Sequence, residues 1–161
     1  MHELRVIFEE MGFDVNTVRF PQAAALYALA RLYSVTARDL SAVYKRVGLT
    51  ITSFNLLMLV QHGKDRESLT QQALSDKLVV TESDTTKVID QLEKRSLVRR
   101  LPGHDRRSKR LTITEKGVKL LDEVWPRHVE AMERLAQAIQ PHDAKVLAEI
   151  LVRLRRVREA P

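Results

Sequence analysis

The chain has 161 residues, enough for one domain with a real core, and 44% apolar with 30% charged residues describes a soluble globular protein rather than a disordered one. A formal charge of +6 and a pI of about 9.8 suit a polyanionic partner. The chain has no cysteine, which excludes disulfides, thiolate metal sites and thiol redox switches, and it has neither a signal peptide nor an apolar run of ~20 residues, so a cytoplasmic protein without membrane contact is expected.

Only 5 glycines and 5 prolines punctuate the sequence, which favours long helices. Met1 to Phe20 reads either as a short helix up to Met11 with a turn at Gly12 or as a segment without fixed structure. Pro21 fits a first helical turn. From there Leu26, Leu29, Ala30, Tyr33, Ala37, Leu40, Tyr44 and Val47 recur at helical spacing. They predict a helix of about 26 residues ending at Gly48. Thr50 or Thr52 can cap the next helix, with Phe54, Leu57, Met58 and Val60 as its apolar positions. Lys64 to Glu67 reads as a surface loop.

Thr70 caps a short helix that buries Ala73, Leu74 and Leu78, and Thr81 caps another after a brief turn. In this second helix Thr85, Val88, Ile89 and Leu92 share one face, while Ser83, Lys87, Asp90 and Lys94 share the opposite one, flanked by Asp84, Thr86 and Gln91. Leu97–Leu101 and Lys109–Ile113 are strand-like, joined by a turn at Pro102 to Asp105. Thr114 can cap a long helix that Pro126 is expected to kink. Pro141 starts a last helix with Val146, Leu147, Ile150, Leu151, Leu154 and Val157 on its apolar side.

Two short capped helices in succession have helix-turn-helix spacing, and the start of the second then reaches base edges. Its candidate DNA-contacting residues are Thr81, Ser83, Asp84, Thr86, Lys87 and Gln91. Lys87 can donate to guanine or phosphate. Asp84 can accept from cytosine, and it equally fits a cap in Thr81-Glu82-Ser83-Asp84. From Lys94 to Arg110 there are eight Lys/Arg and one acid, Asp105. A basic ribbon is usually a solvated edge. Directly after a helix-turn-helix it reads better as a wing, with Arg106, Arg107 and Lys109 on DNA, Arg107 first in a narrow minor groove. Asp105 is expected to pair with a neighbouring arginine and fix the loop.

The order Leu74…Leu78, Thr81…Lys87, Leu97-Val98-Arg99-Arg100, Asp105-Arg106-Arg107 and Leu111-Thr112-Ile113-Thr114-Glu115-Lys116-Gly117 resembles the MarR family of bacterial transcription regulators, over roughly Pro21 to Glu159. The resemblance implies a mainly α fold with a small β-hairpin wing: a winged helix-turn-helix at 50–113, flanked by a dimerisation helix and extension at 1–49 and by dimerisation helices at 114–161. It implies a homodimer on a pseudo-palindromic operator, repression as the commoner outcome, and a small aromatic effector. It also implies a base or phosphate contact at Lys87 and a minor-groove contact at Arg107. Tyr33, Tyr44, Trp125 and His128 are the candidate pocket residues, with ordinary core or interface as the plainer reading. Two departures stand out. Leu78-Val79-Val80 replaces the glycine common in the helix-turn-helix turn, and Ser96 replaces the glycine before Leu-Val. The lack of cysteine argues against the thiol-oxidation branch of the family.

No cofactor, metal site or catalytic motif is expected. The five histidines show no i, i+4 pairing with another ligand-type residue, and there is no phosphate-binding glycine loop. The alternative reading is a winged-helix module that binds an acidic protein partner.

Overall fold

The computed structural model describes residues 2–12, 14, 21–63, 69–78, 80–102 and 109–159. In chain order these form α1 (His2–Glu10), α2 (Pro21–Lys45), α3 (Ile51–His62), α4 (Gln71–Leu78), α5 (Glu82–Lys94), β1 (Val98–Pro102), β2 (Lys109–Ile113), α6 (Glu115–Ala136) and α7 (Pro141–Glu159). The architecture is the mainly α fold with a two-stranded hairpin that the sequence predicts.

Threonines open four of the helices. Thr50, Thr70, Thr81 and Thr114 each accept, through the side-chain hydroxyl, an N–H from the residue three positions on: Ser53, Ala73, Asp84 and Gly117, at 3.1–3.2 Å. Each cap satisfies an amide the helix cannot, an effect of about 1 kcal/mol. Thr50, not Thr52, caps α3, completed by a reciprocal bond from its own N–H to the Ser53 hydroxyl. Helices α3, α4 and α5, the hairpin and the first half of α6 enclose one core, in which Leu56, Leu57, Leu74, Ile89, Leu97 and Leu121 are buried.

The two strands are antiparallel, with Val98 opposite Ile113, Arg100 opposite Leu111 and Pro102 opposite Lys109. Thr70 adds an isolated bridge to Arg110, which ties the start of α4 to the second strand.

Ser96 explains how the fold accommodates its missing glycine. Its φ is +57°, the left-handed region. The Leu97 N–H bonds to the Leu92 carbonyl at 2.9 Å and the Ser96 N–H to the Glu93 carbonyl at 2.8 Å, a Schellman close for α5. Serine thus takes glycine's backbone at a cost of roughly 1 kcal/mol. In the helix-turn-helix turn Val79 lies outside the described residues, and Val80 N–H reaches back to the Ser75 carbonyl at 3.3 Å. Gly117 has a different reason to be glycine. A Cβ there would lie 2.3 Å from the Leu97 carbonyl oxygen, so the final residue of Thr-Glu-Lys-Gly marks where α6 crosses the start of β1 at backbone distance.

The apolar stripe of α2 is divided between surfaces: Tyr44 is buried and Leu40 and Val47 pack on the core, whereas Leu26, Leu29 and Tyr33 are exposed. Pro126 lies inside α6, which continues through it from Glu115 to Ala136. Only one amide is lost, and the turns on either side hold the remaining ladder. In α7 every residue whose side chain is described is exposed. The apolar set Val146, Leu147, Ile150, Leu151 and Leu154 therefore has no cover within the described chain.

Candidate nucleic-acid interface

Helix α5 buries Thr85, Ile89 and Leu92 and exposes Ser83, Lys87, Gln91 and Lys94. The buried threonine needs partners, because an unpaired interior hydroxyl is costly. The Ser75 hydroxyl donates to Thr85 Oγ1 at 2.8 Å, and Thr85 donates to the Thr81 carbonyl at 3.1 Å. A second hydroxyl bridge lies nearer the surface. Gln71 Nε2 donates to Thr86 Oγ1, which donates to the Glu82 carbonyl at 2.8 Å. The two bridges fix α5 on α4, and they alter the reading of Thr86. Its proton is committed to Glu82, so it holds the helix pair rather than standing free to donate to DNA. Gln71 and Ser75 escaped sequence reasoning. Their only signal was polarity one helical turn apart beside inward Leu74.

At the start of α5, Thr81 is both cap and partner. Its N-cap oxygen receives the Asp84 amide, and its hydroxyl donates to Asp84 Oδ2 at 2.8 Å. Lys87 Nζ stands 3.2 Å from Asp84 Oδ1. The Thr81 hydroxyl, then the Lys87 ammonium, hold the Asp84 carboxyl below the usual carboxylate range. The Asp84 carboxylate thus meets its cap residue through the Thr81 hydroxyl, whereas the amide that Thr81 caps is a backbone group. The lysine is leashed only loosely: the pair is exposed, 68% and 57% by side chain, and solvent and salt screen it.

The hairpin is joined to this helix by one arginine. Arg100 Nη2 donates to Asp90 Oδ1 and Nη1 to Glu93 Oε2, while the Arg100 backbone N–H donates to Glu93 Oε1 at 3.2 Å. Burial pulls the guanidinium down, but the two carboxylates outweigh it and leave it above the ordinary arginine range. Arg100 therefore leaves the basic patch: it serves as a bracket between wing and helix. Asp90 likewise faces the wing and is not part of an open polar face. Arg99 is exposed, and Arg110 Nε reaches the Pro102 carbonyl at 3.4 Å across the hairpin. Lys109 pairs with Pro102 in β2. Asp105, Arg106 and Arg107 lie outside the described residues.

Three of the four candidate pocket residues, Tyr44, Trp125 and His128, come together, and Tyr33 does not join them. Tyr33 is 69% exposed on the outer half of α2, eleven residues before Tyr44 along the helix. Tyr44, Phe54, Trp125 and His128 form a ring cluster. Tyr44 stacks on Phe54 at 4.3 Å between centroids, and His128 lies 5.0 Å from Phe54 and 5.3 Å from Trp125. Tyr44 OH and His128 Nδ1 are 2.8 Å apart. Burial depresses the His128 pKa and raises that of Tyr44 to about 12, so both are neutral near pH 7. Stability has a window as a result. The unfolded chain protonates this histidine near pH 6.5 and the folded chain only lower, so stability present above about 6.5 is lost as the pH falls below it. On the alkaline side stability declines above about pH 10, where only the unfolded tyrosine ionises. Thermal melts between pH 7.5 and 5.5 are expected to show a smaller fall in Tm for His128→Phe than for the parent. An identical acid limb in both excludes His128 as its source.

Among the described residues no helix is long and apolar enough to cross a membrane, and no group of three or more His, Cys, Asp or Glu is placed to hold a metal ion.

A sequence profile described as the MarR family matches residues 47–108, the segment that carries this helix pair and most of the hairpin. The uncharacterized HTH-type transcriptional regulator YkoM of Bacillus subtilis is 30% identical over 88% of this chain and 91% of its own length. The chain belongs to the MarR family. The HTH-type transcriptional regulator MhqR of the same organism is 28% identical over 78% of this chain and 86% of its own length. Among solved structures, Sco3205, a MarR family transcriptional regulator from Streptomyces coelicolor in complex with DNA, superposes with a TM-score of 0.75 at 22% identity, over 81% of this chain and 83% of that one. As a MarR-family protein the chain is a winged helix-turn-helix, DNA-binding transcriptional regulator. These relatives are regulators rather than enzymes, and they lend no support to a module for an acidic protein partner.

Proposed function

We propose that the protein is a repressor that binds a pseudo-palindromic operator as a homodimer, with residues 50–113 reading DNA and residues 1–49 and 114–161 joining the subunits. It performs no catalysis in this reading. The observation that carries it is the division of α5: one face is locked to α4 and the core by paired hydroxyls, and the other presents Ser83, Lys87 and Gln91 to solvent. A two-fold dimer spaces two such helices about 34–36 Å apart, one turn of duplex. On contact Lys87 exchanges its exposed tie to Asp84 for a base edge or phosphate. Arg107, or next Arg106, enters the adjacent minor groove in this proposal, Lys109 contacts DNA beside it, and Asp105 fixes the loop. A small aromatic effector acts by altering the distance between the two reading heads.

The test is selection of duplexes from a random pool, followed by titration at stated salt. A palindromic consensus is expected. Lys87→Ala is expected to weaken binding to it by about tenfold or more and to flatten the salt slope by about 1 if the contact is to phosphate. Arg107→Ala is expected to lose a similar factor, mainly on A·T-rich flanks. A Lys87→Ala variant with parental affinity and sequence preference removes that residue from the reading head, and a pool that yields no palindrome removes the dimeric reader.

A further inference from the structure

One side chain ties the end of the recognition helix to the helix that leads to the dimer surface. Arg95 is the C-cap of α5. Its Nη1 donates to the Gly48 carbonyl, and its Nη2 donates to the Val47 carbonyl at 2.8 Å. Those two carbonyls follow the last turn of α2. The planar fork of a guanidinium can serve both at once, and its charge suits the negative end of a 25-residue helix. Gly48 supplies the left-handed backbone, φ +68°, that turns the chain out of α2 beside the guanidinium. From the other side Lys116 Nζ, in the first turn of α6, donates to the Arg95 carbonyl at 3.0 Å. The ends of α2 and α5 and the start of α6 thus converge on a single residue that lies away from the exposed polar residues at the start of α5.

We propose that Arg95 is a positioning residue that holds α5 at a fixed angle to α2, and through it decides which half-site spacing the protein accepts. The proposal rests on the homodimer reading. The outer half of α2 carries exposed Leu26, Leu29 and Tyr33, so in a dimer this helix is referenced to the partner. The inner end of the same helix is referenced to α5 through the guanidinium. Without the fork, α5 keeps its hydroxyl bridges to α4, so each reader still recognises its half-site. What softens is the geometry between the two readers. One base pair of spacing changes their separation by about 3.4 Å and their relative rotation by about 35°.

The experiment uses the full-length protein and the duplex enriched from the random pool, with one base pair inserted or deleted at its centre, and a second duplex carrying one half-site. The parent is expected to lose about 30-fold in affinity on either spacing change, because one half-site disengages. Arg95→Met, which keeps the stem and removes the donors, is expected to lose only about threefold, with half-site affinity unchanged. Arg95→Lys keeps the charge without the fork and is expected to fall between them; it carries the test if Arg95→Met does not fold. Variants that keep the parental spacing penalty within about twofold, or that lose half-site and full-site affinity alike, overturn the positioning role while leaving the dimeric reader intact. A parent with no spacing preference overturns the homodimer reading and this inference with it.

Discussion

Replacing Leu147 and Leu151 together with glutamate is expected to leave the protein monomeric and to weaken operator binding by about 100-fold or more. Both residues lie on the apolar side of α7, where the isolated chain leaves them 40% and 37% exposed. A lone helix of 19 residues with this many uncovered aliphatic side chains is marginal in water and needs a surface to lie on. Exposed Leu26, Leu29 and Leu32 on α2 and Met132 and Ile139 around the end of α6 extend that surface. In the proposed homodimer a second copy supplies a matching one under two-fold symmetry. Two carboxylates placed at its centre must be desolvated without partners, which costs more than the interface recovers. Sedimentation at micromolar concentration reads the oligomeric state, and titration with the palindromic duplex reads affinity. A double variant that remains dimeric places the interface elsewhere.

The second large effect belongs to Arg100. Arg100→Met is expected to destabilise the fold by about 2 kcal/mol, because Asp90 and Glu93 are left side by side without their cation. For a chain of this length that is a fall in Tm of roughly 4–8 °C. The same substitution is expected to weaken operator binding by about tenfold in conditions where the protein stays folded, since the wing loses its bracket to α5. Asp90→Asn with Glu93→Gln in the Arg100→Met background should recover most of the stability and none of the affinity. A Tm within about 1 °C of the parent shows that the bracket contributes nothing.

Much of this was legible in the sequence. Threonine caps at 50, 70, 81 and 114 announce helix starts because a side-chain oxygen acts on its own local amides, whatever the tertiary fold. The face of α5 that buries Ile89 and Leu92 follows from helical period alone. What could not be read was where polar side chains spend their bonds. Arg100 looked like one more cation of a basic ribbon, yet its partners lie seven and ten residues back on a helix. Thr86 looked available, but its acceptor and donor are supplied by the previous turn and by α4. Arg95 reaches 47 and 48 residues away. Such choices are made by packing, and local pattern is silent about them. The stripe on α2 has the same limit: periodicity shows that a face is apolar, not how many surfaces divide it.

The uncovered state of α7 has a consequence for supply. If its only cover is a twin chain, the reading-competent species grows with roughly the square of the amount made while protein is scarce. Halving synthesis then cuts that species about fourfold rather than twofold, and the controlled genes respond to the regulator's own abundance as a threshold rather than in proportion.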